Sequence, residues 1–390
     1  CAYPEQGGIY AWVKKAFGER WAARATWAYW VNTAVWIPAI FILFAGIYAQ
    51  IFSPDMSLYG QITIGIVLTW VAVAANIVTL DIGKWIPNIG AILKVIIFLV
   101  IIVGGFQYTQ INGMANPLTF ETLTPNFNSS LQYIPAIIYG MLGFELVSSG
   151  AAEMKDPARD VPRSIFISGF IIITLYILGT VAMLAAIPAS DINLVEGLMN
   201  TLYLFLGDSQ LGQTAALILG VAALFTFFSN GVTWALGCNR AAAEAAIEGE
   251  LPAIFALEHK TRGTPVGAAV AMGVISTAVL IMYGFMAGSS EELFWDLFSF
   301  SAVIFLLPYQ GMLLAFVKMR IIDADHHRPY KIGGDIAMAK LCAYTCMLVL
   351  GLTIVLFIYT PGEGIQWPVF IGVLFTLAIG ELLIRKSDRH

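Results

Sequence analysis

"YGMLGFELVSSGAAEMKDPARDVPRS", residues 139–164, opens as an apolar span and then sets Gly140, Gly143, Glu145, Ser148, Ser149 and Gly150 where lipid-facing leucines are expected. A carboxylate in hydrocarbon costs at least roughly 2.5–3.5 kcal/mol on insertion scales, so its presence within a span points to function. Glycines clustered beside it mark a helix that can break, and a broken helix turns its freed N–H and C=O groups to ligand, water or protein. Close packing of neighbouring helices through small residues accounts for the glycines equally well.

The rest of the chain supplies the setting. Of its 390 residues 59% are hydrophobic and only 12% charged, with a mean hydropathy of +0.80, whereas soluble domains carry roughly a quarter charged residues. Apolar runs of about 20 residues, long enough to cross a hydrocarbon core as helix, recur to the end of the chain. Spans are expected near 27–52, 59–80, 85–108, 131–151, 165–187, 212–236, 265–286, 293–317, 337–359 and 367–384. Runs such as "VIIFLVIIVGG" are apolar on every face, which excludes the alternation of a membrane β-barrel. The fold class is therefore all-α, a polytopic membrane protein with one transmembrane domain over 1–390.

Orientation follows the location of Lys and Arg rather than total charge. Lys14, Lys15, Arg20 and Arg24 precede the first span, and Lys84, the group Lys155/Arg159/Arg163, the group Arg240/Lys260/Arg262, the group Lys318/Arg320/Arg328/Lys331 and the tail Arg385/Lys386/Arg389 occupy every second connection after it. The intervening loops hold neither residue. The expected location is the cell inner membrane, with both ends of the chain in the cytoplasm. Residues 7–24 read as a cytoplasmic amphipathic segment whose Lys14, Lys15 and Arg20 reach anionic headgroups, and 238–263 as a cytoplasmic helical loop. In "RWAARATWAYWVNTAVW" the aromatic residues suit a membrane interface, and only Asn32 and Trp36 lie deep enough to bear on a site. Cys1, Cys238, Cys342 and Cys346 fall in spans or on the reducing side, so no disulfide is expected, and Cys342 with Cys346 reads as small apolar packing. No metal-ligand spacing is present; "HH" at 326–327 reads as a solvated loop.

Two ionisable residues lie deep. Lys94 is ten residues beyond Lys84, and Glu145 ten before Lys155, which places both about 15 Å from the same surface at 1.5 Å per residue. A lysine stem cannot snorkel that far. For Glu145 the plainer reading is a buried carboxylate that ties helices together by hydrogen bonds.

"GFELVSSGAAEMKDPARDVPRSI" resembles the sixth-helix signature of the amino acid, polyamine and organocation permeases: a glycine-rich break followed by E-x-K-x-P-x-R-x-x-P-R. "YPEQGGIYAWVKKAFG", "AILKVIIF" and "WALGCNRAAAEAAIEGELPAIFALEHKTRGTPV" resemble the family's segment at the end of helix two, its helix-five lysine, and its helix eight with the loop after it. The resemblance covers essentially the whole chain. It implies a LeuT-like arrangement of inverted repeats, with ten complete helices and the end of another present here. It also implies that helix one, whose unwound G-x-G grips the substrate in the family, and most of helix two are missing, so that part of the site is expected to be absent.

Carried over residue by residue, the resemblance implies substrate binding at Gly140, Gly143, Phe144, Glu145 and Ser148, with the Phe144 ring closing over the substrate. It implies proton coupling at Lys94, Glu145 and Ser229, Lys94 standing in for a sodium ion. The expected function is secondary active transport of amino acids or their decarboxylated amines by alternating access, as sodium-independent exchange. The wording of the motifs looks most like exchangers of the glutamate/γ-aminobutyrate type. Proton-coupled uptake is the alternative within the class; a channel or transceptor is a remoter one. An enzyme is not expected, because no span holds a His or a metal-ligand set. No cofactor is called for. The expected partners are an amino acid or amine, membrane lipid and a second copy of the chain as a homodimer, with no nucleic acid.

Overall fold

Apolar segments in hydrocarbon have to satisfy their own backbone, and helices do so. The computed structural model describes residues 2–3, 8–78, 85–117, 119–120, 124, 131, 133–147, 154–192, 197–332 and 335–387. Within them lie α1 (Ile9–Phe17), α2 (Glu19–Phe52), α3 (Leu58–Val78), α4 (Trp85–Asn112), α5 (Ile134–Gly140), α6 (Pro157–Ala186), α7 (Gly197–Leu206), α8 (Gln210–Ile247), α9 (Val266–Gly284), α10 (Ser290–Ile322), α11 (Ile336–Ile358) and α12 (Trp367–Ser387). A hairpin of β1 (Tyr359–Thr360) and β2 (Gly364–Ile365) joins the last two helices.

Among the described residues nine helices are long and apolar enough to cross a membrane. They match nine of the ten expected spans. The exception is 131–151, which is not one continuous helix. There α5 stops at Gly140, residues 144–147 form a 3-10 turn, and 148–153 lie outside the described residues. The apolar run is long enough to span, but its glycines and carboxylate turn the chain out of the helix halfway.

The centre of the bundle is α2, which packs most extensively against α10 and α8. Its alanines, including Ala22, Ala25, Ala28, Ala34 and Ala39, are buried; small side chains let neighbouring helices approach closely where apolar lipid supplies little drive for association. The same logic fixes α4 on α8, where a Cβ on Gly90 would stand 2.2 Å from Ser229 Oγ. Helix starts follow their sequence signals. Asp156 caps α6 through Arg159 N at 3.3 Å, Ser209 caps α8 through Gly212 N at 3.1 Å, and Asp335 accepts from Ala337 N and Met338 N at the head of α11.

The ends of several helices meet on one face of the bundle. Tyr3 Oη donates to Asp323 Oδ2 at 2.6 Å, and Ser387 Oγ to Gly249 O at 2.6 Å. Lys14 pairs with Glu248 and, at 3.3 Å, with Glu250. The start of the chain, the ends of α8 and α10 and the end of α12 thus share one surface. It is the surface at which the Lys/Arg-bearing connections with described residues begin or end.

Candidate functional site

The interrupted segment places its carboxylate at the heart of the bundle. Gly143 has φ 111°, a conformation that L-residues with a Cβ avoid, and it releases the chain from α5 into the 144–147 turn. Glu145 lies in that turn and is 4% exposed. Tyr29 of α2 donates its hydroxyl to Glu145 Oε1 at 3.0 Å, and Tyr309 of α10 donates to Oε2. The Tyr309 Oη also accepts the N–H of Gly143 at 3.0 Å. One phenol therefore holds both the freed backbone of the break and the carboxylate two residues later. Its neighbour explains its place: Pro308 has no N–H to give the Ile304 carbonyl, so α10 has a weakened turn where Tyr309 emerges.

Further aromatic rings pack on the two tyrosines that hold this carboxylate. Phe305 lies 5.9 Å from Tyr29, 5.3 Å from Trp234, 4.9 Å from Tyr309 and 5.6 Å from Tyr139, centroid to centroid. Trp234 sits beside the break, where a Cβ on Gly143 would come within 3.2 Å of its ring. Further along, Tyr139 Oη donates to Asn32 Oδ1 at 3.3 Å and Trp36 Nε1 to Asn230 Oδ1 at 3.1 Å. A carboxylate set among aromatic faces suits an organic ammonium, which gains both a charged acceptor and ring quadrupoles.

Not every expected site residue joins this group. Phe144 is 47% exposed and meets Tyr309 edge-on at 5.8 Å, so it stands beside that ring and does not close over Glu145. Gly140 ends α5 in open space, with nothing within 4 Å of a Cβ placed there. Ser148 lies outside the described residues. Lys94 is exposed on α4, and Ser229 does not face it: the Ser229 hydroxyl donates instead to the Ile86 carbonyl at 2.9 Å, two turns earlier on that helix. Cys342 and Cys346 are exposed, which departs from the packing role expected of them, whereas Cys238 is buried and takes the Thr33 hydroxyl at 2.7 Å. Among the described residues no group of three or more His, Cys, Asp or Glu is placed to hold a metal.

Sequence reading missed Tyr29, Tyr139, Trp234, Phe305 and Tyr309. Tyr29 belongs to the aromatic run assigned to the interface, although it lies ten residues into α2, about 15 Å along it. For Tyr309 the available signal was the polar pair after a mid-span proline in "LLPYQG".

A second cluster lies outside the spans. Glu248, just past the end of α8, accepts from both Lys14 and Tyr10 of α1, and the Lys14 hydrogen bond is the largest cause holding its pKa below the ordinary carboxyl value. Burial acts first on Glu250 and raises its pKa, against the lowering effects of Tyr10 and Lys14. Burial likewise raises the Tyr10 phenol.

A family model described as "Amino acid permease" matches residues 1–379. The chain is 32% identical to a protein of Lactococcus lactis subsp. lactis named "probable agmatine/putrescine antiporter", over 99% of this chain and 83% of that relative. It is 28% identical to an uncharacterised transporter of Legionella pneumophila, over 100% of this chain and 86% of the relative. A glutamate/γ-aminobutyrate antiporter of Lactococcus lactis is 24% identical over 85% of this chain and 67% of its own length.

Proposed function

The chain belongs to the amino acid permease family, and from that premise we propose that it exchanges organic amines across the membrane, taking a diamine or guanidino-amine such as putrescine or agmatine at Glu145. As a permease it is a multi-pass membrane transporter and not an enzyme. The observation that carries the substrate reading is the buried Glu145 carboxylate at the Gly143 break, held by Tyr29 and Tyr309, on which Phe305 and Trp234 pack. An ammonium entering here replaces hydration by a carboxylate and aromatic faces. A substrate carboxylate there would meet Glu145 as a like charge, which sets a cationic amine ahead of an acidic amino acid. The relative named for agmatine and putrescine has the higher identity of the two antiporters compared, which supports the same order.

In this proposal Gly143 and Glu145 contribute the break and the charge, and the tyrosine hydroxyls hold the empty carboxylate until substrate arrives. Alternating access follows from rocking of one group of helices about the break. The Lys/Arg-bearing surface faces the cytoplasm. The exchange is sodium-independent in this proposal, as the family resemblance implies.

Counterflow in proteoliposomes tests the reading. With putrescine inside, labelled agmatine or putrescine should enter and accumulate, whereas empty vesicles should take up little, because an exchanger returns only when loaded. Potassium in place of sodium should leave the rate unchanged. Entry that ignores internal amine and follows an imposed pH gradient would replace exchange by proton-coupled uptake.

A further inference from the structure

On the Lys/Arg-bearing face, α1, α2, α10 and α12 enclose a crevice of about 590 Å³ that the exchange reading does not use. Its walls are apolar, with Phe17, Trp27, Leu307, Pro308, Leu314 and Leu377 among them. Leu314 and Leu377 belong to membrane-crossing helices and are exposed, so the crevice opens sideways onto hydrocarbon. The volume lies within the range of small-ligand sites, roughly 300–1,000 Å³.

The mouth is charged. Glu381 accepts from Arg24 Nε at 2.9 Å and Arg24 Nη2 at 3.2 Å, and from Arg385 Nε at 2.9 Å, so two guanidiniums meet on one carboxylate. Arg20, one turn before Arg24, and Lys386, beside Arg385, are exposed nearby. Among the described residues here, these four cations stand beside the carboxylates Glu19 and Glu381. Trp21, 58% exposed, lies 4.8 Å from the Arg24 guanidinium. An indole beside a cation at the end of a span is the arrangement of a headgroup-level belt. A cationic mouth over an apolar crevice that opens to the bilayer matches one ligand chemistry, an anionic headgroup carrying an acyl chain.

We propose that this crevice binds an anionic phospholipid from the leaflet on the Lys/Arg-bearing face, with an acyl chain between α2, α10 and α12 and the phosphate at Arg24 and Arg385. Pro308 and Gln310 line the crevice, while Tyr309 between them reaches Glu145 and the Gly143 N–H on the other side. The lipid chain therefore packs against the back of the turn that holds the break.

The test is photolabelling of the full chain in phosphatidylcholine nanodiscs that contain a minor fraction of phosphatidylglycerol with a diazirine in its acyl chain. Label should fall on peptides of α2 around Trp27 and of α12 around Leu377. Charge removal by Arg24→Gln with Arg385→Gln should lower it by roughly fivefold per cation. Leu377→Trp, which leaves the ion pairs intact and fills the crevice, should abolish it with an unchanged melting temperature. Equal labelling by a diazirine phosphatidylcholine, label distributed elsewhere on the bundle, or full competition by soluble glycerol phosphate would each overturn the proposal. The readout is binding alone, so it stands apart from the identity of the transported amine.

Discussion

Glu248 and Glu250, two residues apart and both facing Lys14, respond to pH in opposite senses because their surroundings differ. Glu248 is held ionised by Lys14 and Tyr10, and its folded pKa is lowered. Its contribution is therefore present above the ordinary carboxyl value of about 4.3 and is lost as pH falls through the lowered folded value. Glu250 is raised by burial. Its protonated form favours the fold below the ordinary value, and that benefit is lost as pH rises through the raised folded value. Glu248→Gln should thus cost stability at pH 7, no more than about 1 kcal/mol for so exposed a pair, seen as a lower melting temperature, with the gap closing below about pH 4. Glu250→Gln should be neutral or stabilising at pH 7. Melting curves from pH 3 to pH 8 compare the two; equal losses at neutral pH for both variants would contradict this assignment.

At the scale of the element, the interrupted span turns on which glycine the break requires. Gly143 combines a positive φ with the Trp234 ring 3.2 Å from any added Cβ, so Gly143→Ala should cost about 1–2 kcal/mol in backbone conformation and more from the crowded ring. Gly140 ends a helix in open space. There Gly140→Ala should be neutral or stabilise by up to about 1 kcal/mol, since alanine is the better helix former. Thermal melting of the purified variants separates them, and a reversed order would move the break. From sequence the two glycines were equivalent, because each stands three residues or fewer from its neighbour in the motif and neither names its φ. The helices themselves were legible in advance, since hydrocarbon demands long apolar runs and charges mark their ends. The same demand placed a span at 131–151, and its glycines marked it as a helix that can break; at which glycine was not legible, because hydropathy registers how apolar a segment is and not where its backbone turns.

Across the whole molecule, the legible part of the site was its carboxylate and the illegible part its surroundings. A lone charge in an apolar run announces itself, as Glu145 did. Tyr29, Trp234 and Tyr309 did not, because membrane proteins hold aromatic residues both at interfaces and in their interiors, and only the packing of α2 on α8 and α10 brings the two tyrosines to one carboxylate with the Trp234 ring beside Tyr29. Lys94 announced itself equally and lies exposed on α4, apart from the group at Glu145. Two charges at one depth can face different sides of a bundle, since depth is read along the chain while facing depends on helix rotation. The exchange reading therefore concentrates recognition on Glu145 and the rings around it.

The most direct test of that claim is equilibrium binding of labelled putrescine to the purified protein, compared between the parent chain and Glu145→Gln. The glutamine keeps the size and one acceptor oxygen for a tyrosine hydroxyl, presents an N–H donor to the other, and lacks the charge. The account predicts that Kd rises by at least roughly tenfold, the worth of one charge-assisted hydrogen bond, with the melting temperature maintained. An unchanged Kd in a folded Glu145→Gln protein would contradict it and leave the carboxylate as a tie between α2, α10 and the broken helix.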